Sequence, residues 1–153
     1  MAYAEGTSVA PERSRAEIEA TLKRYGASHF GYMSSPEGAM VGFQVNKYQV
    51  RFSVPMPALA EFKRTDKGRT RTDIQAREAL DKEERRRWRA LALCVKAKLE
   101  AVDSGITTFE QEFMAHIVIP GSGATVGESL LPRLAKAIEE GKPSGLLLDW
   151  NPK

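Results

Sequence analysis

The sequence predicts an α+β fold: an N-terminal helix, a three-stranded antiparallel sheet, a long helix packed on the sheet, then two shorter helices. Ser or Thr is followed three residues later by Glu or Gln at four places, and this spacing caps helix starts. Between the first two places, apolar and polar residues alternate over 41–54, which is typical of strands. The 153 residues have the length of one domain, so we expect a single core over 1–153.

The capping pairs fix the expected helix starts. They are Ser14 with Glu17, Thr72 with Gln75, Thr107 with Glu110, and Thr125 with Glu128. The helices are expected near 15–25, 73–104, 108–116 and 126–140. Apolar residues recur three or four apart in the longest of them, which predicts a face buried in the core. They are Trp88, Leu91, Ala92, Val95, Leu99 and Val102.

Three strands are expected between the first two helices. Segments 39–45 and 48–54 alternate in polarity, and Asn46 between them tolerates the positive φ of a two-residue turn. They should form a hairpin, with 27–33 as the third strand. The long helix near 73–104 should cover the apolar face of this sheet.

A basic segment at about 58–71 follows the strands. Five basic residues fall within positions 63–71, beside a glycine, and we expect a mobile loop there. The termini, 1–12 and 143–153, are expected to be loosely ordered, with Leu147 and Trp150 docking on the body of the domain.

Charge and cysteine content suit a cytoplasmic protein. The formal net charge of +3 permits an acidic partner, and Cys94, the only cysteine, excludes an internal disulfide. We expect Cys94 to be a buried, inert thiol. No apolar run approaches the roughly 18 residues of a membrane span, and no secretion signal is recognisable, so no membrane partner is expected.

Basic side chains are concentrated in 63–71 and at the start of the long helix, in "EERRRWR". Arginine forms a planar fork suited to phosphate, so these clusters predict a groove for a nucleic-acid backbone. The ring of Tyr48, at the hairpin turn, suits either the core or an exposed position, and if exposed it is a candidate for base stacking, which suits single strands. Trp88 is expected to belong to the core. The predicted binding residues are Lys47, Tyr48, Arg51, Lys63, Arg64, Lys67, Arg69, Arg71, Arg85, Arg86 and Arg89. In a competing interpretation the helix is merely solvated, and Asp81, Glu83 and Glu84 pair with arginines three and four residues on.

Nothing in the sequence predicts catalysis, a metal or a cofactor. The glycine-rich "GSGATVGES" at 121–129 lacks the Lys-Ser or Lys-Thr of a P-loop, and we interpret 117–129 as a short strand, a turn and a helix start. Glu112 and His116 lie four apart, but only one other histidine, His29, exists and no cysteine stands near. We therefore expect a non-enzymatic protein.

The stretch "RRRWRALALCVKAKLEAVDSGITTFEQEFMAHIV", with "TVGESLLPRL" after it, resembles an uncharacterised family of short proteins encoded in bacteriophages and prophages. "LKRYGASHFGY" and "VRFSVPMP" are similar to the same family. The resemblance implies a phage protein acting in the cytoplasm of the bacterial host cell, and it implies no catalytic residues. The α-β-β-β-α order is also similar in topology to the core of single-strand annealing proteins, which bind DNA along a basic groove.

Two functions follow as hypotheses. The first is a nucleic-acid-binding accessory protein of phage DNA metabolism, with single-stranded DNA as the expected partner in binding or annealing. The alternative is a protein-interaction module whose arginines meet an acidic surface of a host factor and inhibit it. The sequence leaves the oligomeric state open, a homo-oligomer included.

Overall fold

The computed structural model describes residues 4–142. Its helices and strands, in chain order, are α1 (Pro11–Arg24), β1 (Ala27–Ser35), β2 (Gly38–Val45), β3 (Tyr48–Pro55), α2 (Asp73–Asp103), α3 (Phe109–Phe113) and α4 (Val126–Glu140). The predicted α+β class and element order are confirmed. The predicted docking of Leu147 and Trp150 lies outside the described residues. Within 4–142, no helix combines the length and apolar character needed to cross a membrane.

The strands form one antiparallel sheet in the order β1-β2-β3. Val45 pairs with Tyr48 across the hairpin turn, where Asn46 has a φ of 52°. This confirms the predicted hairpin, because asparagine is one of the few non-glycine residues that accept such a φ. The register between β1 and β2 is continuous except for a bulge between Ala27 and His29.

One face of the sheet carries the core. Helices α1 and α2 cover it, and their buried apolar side chains pack on those of β2 and β3. Phe113 is the last residue of α3, and its ring covers one end of the core. It makes edge-to-face contacts with Phe43 and Phe52 at centroid distances of 6.0 and 6.2 Å. Trp88 is only 3% exposed, so its predicted core role is confirmed.

Two of the four predicted helix caps are confirmed. Thr72 with Gln75 begins α2, and Thr125 with Glu128 begins α4. The cap at Ser14 is wrong: α1 begins at Pro11 after Ala10, because proline carries a helical φ and needs no N–H partner in the first turn. Ser14 is instead buried inside the helix.

The cap of α3 also differs from the prediction, by one residue. Thr108 and Gln111 form the capping box, not Thr107 and Glu110. The neighbouring Thr-Thr and Glu-Gln pairs make either register available. The observed one turns Phe113 into the core, which decides between them. The helix then ends at Phe113, and a 3-10 turn over Met114–His116 replaces its predicted last turn.

The segment after α3 pairs with β3 without forming a strand of its own. The amide of Val118 donates to the carbonyl of Gln49 at 2.8 Å, and Ile117 forms an isolated bridge with Val50. The strand predicted within 117–129 is therefore reduced to single bridges. The polypeptide then turns into α4, whose Gly127 packs against Ala115 so closely that a Cβ would lie 2.7 Å from the Ala115 carbonyl oxygen.

The basic segment between β3 and α2 contains hydrogen-bonded structure. Leu59–Phe62 forms a 3-10 turn, and the Thr65 amide donates to the Arg69 carbonyl at 2.8 Å. An isolated bridge joins Arg64 to Thr70. The mobility of this segment stays a prediction.

Candidate nucleic-acid interface

Much of the arginine cluster of α2 is engaged within the protein. The Glu83 carboxylate accepts two hydrogen bonds from Arg86, at 2.6 and 2.7 Å, and one from Arg87 at 2.8 Å. Chiefly because Arg86 donates to it, the pKa of Glu83 falls from its usual 4.5 to about 2. Arg87 also donates to the carbonyl of Pro55, at the end of β3. This part of the cluster therefore fastens α2 to the sheet.

Arg89 has a similar internal role. Its guanidinium pairs with Glu17 of α1, so the arginine ties the two helices together. The guanidinium of Arg15 on α1 lies 5.0 Å from the Trp88 ring centroid and 4.7 Å from that of Tyr32. The pairs made by Glu83 agree with the solvated-helix interpretation, but within residues 4–142 neither Asp81 nor Glu84 forms an ion pair. The longer-range contacts were not foreseen from the sequence.

The basic segment and the first turns of α2 enclose a groove of about 500 Å³, here called the basic groove. Its lining consists of Thr65, Arg69, Thr70, Arg71, Gln75, Glu78, Ala79 and Lys82. Three cationic side chains face one carboxylate there, with two hydroxyls and an amide between them. Charged and neutral hydrogen-bond donors in this combination suit phosphate oxygens.

Hydrogen bonds and an ion pair fix the backbone around the basic groove. Arg71 donates to the carbonyls of Phe62 at 3.3 Å and Arg64 at 3.0 Å, and these bonds fold the segment back on itself. Lys63 pairs with Asp73 at the start of α2. This pairing lowers the pKa of Asp73, chiefly through the hydrogen bond from Lys63. Lys63 is therefore paired with α2, while the exposed side chains of Arg69 and Lys82 line the groove.

A second groove adjoins the first and shares Arg71, Ala79 and Lys82 with it. Its charge is mixed. The lining contains four cationic side chains and four carboxylates: Arg64, Arg71, Lys82 and Arg86, and Glu5, Glu61, Asp66 and Glu83. These carboxylates repel phosphate groups, so the mixed groove suits anions less well than the basic groove does. Among residues 4–142, Arg64, Lys67, Arg69 and Arg85 form no side-chain ion pair.

Arg51 lies apart from these grooves. It alternates along β3 with Val50 and Phe52, which face the core, so its side chain points to the opposite face of the sheet. There it donates to the carbonyl of Gly123 and to Glu128, both at 2.7 Å. The predicted single groove that includes Arg51 is therefore wrong, and period-two alternation could have revealed it.

Lys47 and Tyr48 occupy the hairpin end of the sheet. The Tyr48 hydroxyl donates to Glu110 at 2.9 Å, and its ring stacks on Phe109 with 5.9 Å between centroids. The Lys47 ammonium lies 5.3 Å from the Tyr48 ring centroid. Tyr48 is half-buried and already stacked, so base stacking would require these contacts to break.

The remaining candidate groups show no metal site. No cluster of three or more potential ligands occurs within residues 4–142. Glu112 pairs with Lys98 at 3.2 Å, while the His116 ring stacks on Phe52 at 4.0 Å. Burial, with a smaller contribution from the charge of Lys98, lowers the pKa of His116.

The predicted burial of Cys94 is wrong. Its side chain is exposed, not buried. The buried residues of this part of α2 are Ala92 and Val95, and position 94 falls on the flank of their stripe. A flanking position is solvated unless another element covers it.

The glycine-rich segment leads into the capping box of α4, at Thr125 and Glu128. The Glu128 carboxylate accepts from the amide of Thr125 at 2.8 Å and from Arg51. The backbone hydrogen bond first, and Arg51 as a smaller cause, lower the pKa of Glu128. Groups of the protein itself therefore complete the capping box at the start of α4.

Comparisons with protein-family models, with curated proteins and with solved structures find no match for this chain.

Proposed function

We propose that the protein binds the sugar-phosphate backbone of nucleic acid through the basic groove, as an accessory protein without catalysis of its own. One observation carries the proposal: the groove brings the exposed Arg69 and Lys82, from two separate segments, to one surface, and Glu78 is the one carboxylate in its lining. Arg71 adds its charge to the same lining while donating to backbone carbonyls. Arg64 and Lys67, which are exposed on the same basic segment, extend the positive surface. The resemblance to phage-encoded proteins favours phage DNA metabolism as the setting.

Binding of this kind reads charge and not sequence. Phosphate contacts position a nucleic acid but distinguish no bases. The ring of Trp88 is buried, and the half-buried ring of Tyr48 is already stacked on Phe109. We therefore expect single strands and duplexes to bind with similar weak affinity. A strong single-strand preference would require Tyr48 to leave its contacts with Phe109 and Glu110.

The proposal is tested by fluorescence anisotropy with labelled oligonucleotides over a salt series. The variant Arg64→Ala/Arg69→Ala/Lys82→Ala removes three exposed cations from the groove and its rim. Each lost phosphate contact should flatten the plot of log affinity against log salt by roughly 0.7 on single strands and 0.9 on duplexes. The triple variant should therefore bind more weakly and with a flatter slope.

A matched control separates the groove from net charge. Lys23→Ala/Lys96→Ala/Lys136→Ala also removes three exposed cations, from α1, the second half of α2 and α4. It should retain the parent affinity. Equal weakening in both variants, or no binding by the parent at about 50 mM salt, would contradict the proposal.

The alternative, a protein-interaction module that binds a host factor, is favoured by α4. This helix leaves four large aliphatic side chains exposed, Leu130, Leu131, Leu134 and Ile138, by 37%, 58%, 38% and 71%. Apolar residues spaced along one helix face are a common recognition surface for partner proteins. A host factor captured by the parent, and lost with Leu131→Lys/Ile138→Lys but not with the groove variant, would favour this function.

A further inference from the structure

The two edges of the sheet differ in their protection. At the β3 edge, Ile117 and Val118 occupy part of the hydrogen-bonding row through the bridge to Val50 and the 2.8 Å bond to Gln49. At the β1 edge, no residue within 4–142 pairs with the strand on the side away from β2. The outward amides and carbonyls of β1 are thus available to another strand.

Strand β1 lacks the features that usually prevent edge pairing. Its nine residues, "ASHFGYMSS", include no Lys, Arg, Asp, Glu or Pro. All but Ala27 and Phe30 are exposed. A long, exposed and uncharged edge strand is a template for a further strand unless a bulge disrupts it, and the bulge of β1 is confined to its first residues.

Two large side chains on this strand indicate that an added strand would bury apolar surface. Tyr32 is 53% exposed and Met33 is 63% exposed. Consecutive residues of a strand point to opposite faces, so the two side chains flank the edge on both sides. Within the described part of the chain, no other large apolar side chain of the sheet is exposed to this extent.

The chemistry of β1 favours a second copy of the chain as the added strand. Antiparallel pairing of two identical strands has two-fold symmetry, the commonest symmetry of soluble dimers. A two-fold axis brings residues near the middle of the strand close to their own copies, where charged side chains would repel. β1 carries no Lys, Arg, Asp or Glu, so self-pairing brings none of these side chains of the strand against its own copy. The guanidinium of Arg15 on α1 lies beside the strand, over the Tyr32 ring at 4.7 Å.

We propose that β1 is a self-association edge, through which two copies pair antiparallel into a continuous six-stranded sheet that buries Tyr32 and Met33. The proposal is independent of the nucleic-acid function, because it rests on the sheet edge and not on the basic groove.

Sedimentation equilibrium over a concentration series tests the proposal. The parent should sediment as a dimer at high concentration and dissociate on dilution. Tyr32→Lys/Met33→Lys places a cation on each side of the edge and should shift the protein to monomer. The control Ile74→Lys/Ile106→Lys replaces two side chains that are 72% and 80% exposed outside the sheet, and it should remain dimeric.

Hydrogen exchange of the parent gives a second readout that needs no variant. Alternate amides of β1, those that do not bond to β2, should be protected at high concentration and exchange fast on dilution. A parent that stays monomeric at its highest soluble concentration, or a dimer that survives the edge substitutions, would overturn the proposal. So would a concentration-dependent dimer in which these amides remain unprotected.

Discussion

At the scale of single residues, the indole of Trp88 joins three elements. It lies in the core with residues of α1 and the sheet, and the Arg15 guanidinium covers it at 5.0 Å. Trp88→Ala should therefore lower the free energy of unfolding by about 3–5 kcal/mol. Urea denaturation followed by circular dichroism measures the loss.

The matched control for Trp88 is Ile106→Ala. Ile106 is 80% exposed, so its truncation should change stability by less than about 0.5 kcal/mol. A loss below about 1 kcal/mol for Trp88→Ala would mean that the ring is not enclosed and is available for stacking.

Glu83 links the arginine cluster to pH. Its pKa is about 2 in the folded protein against 4.5 ordinarily, so the carboxylate contributes stability that is fully present above pH 4.5 and is lost as pH falls towards about 2. The side chain is 20% exposed, and solvent screening limits the contribution to roughly 1–2 kcal/mol.

Glu83→Gln should accordingly destabilise the protein at pH 7 and match the parent near pH 2. Urea midpoints measured between pH 7 and pH 2 follow this convergence. Glu139→Gln, on the exposed surface of α4, should show little difference at either pH. A stability difference that is constant with pH would show that Glu83 acts by packing and not by charge.

At the scale of elements, Arg51 connects β3 to the segment that leads into α4. Arg51→Ala removes the hydrogen bonds to Gly123 and Glu128, which we expect to cost roughly 1–3 kcal/mol. Hydrogen exchange should accelerate within 119–128 and stay unchanged within 64–71. Oligonucleotide affinity should be retained. A loss of affinity would indicate that Arg51 contributes to nucleic-acid binding.

Helix starts show what the sequence can and cannot predict at this scale. Near Thr72 and Thr125 no other Ser or Thr is followed three residues later by Glu or Gln, and both predictions are confirmed. At Ser14, the preceding Pro11 starts the helix earlier, and at Thr107 an adjacent threonine offers a second register. Capping chemistry marks the neighbourhood of a helix start, while burial of the following apolar residues selects the residue.

At the scale of the whole molecule, the fold follows from periodicity, but the site depends on long-range contacts. Alternation over 41–54 and the stripe of α2 predict the sheet and its helix cover, because each pattern is local. The partners of Arg51 lie 72 and 77 residues further along the chain, and that of Arg89 lies 72 residues away. Clustering of charge in the sequence therefore overestimated the candidate site, since these long-range contacts engage Arg51 and Arg89 within the protein. Arg86 is also engaged, but through its local pair with Glu83, which the sequence does indicate.

The most direct measurement of the central claim is an amide NMR titration with a short oligonucleotide at low salt. Binding in the basic groove predicts chemical-shift changes within 64–71 and along α2 as far as Lys82, which diminish as salt is added. The outer sheet residues Gln44 and Gln49, and the hairpin end at Lys47, should not change. Shift changes centred on the outer sheet or the hairpin end, or none at all, would contradict the account.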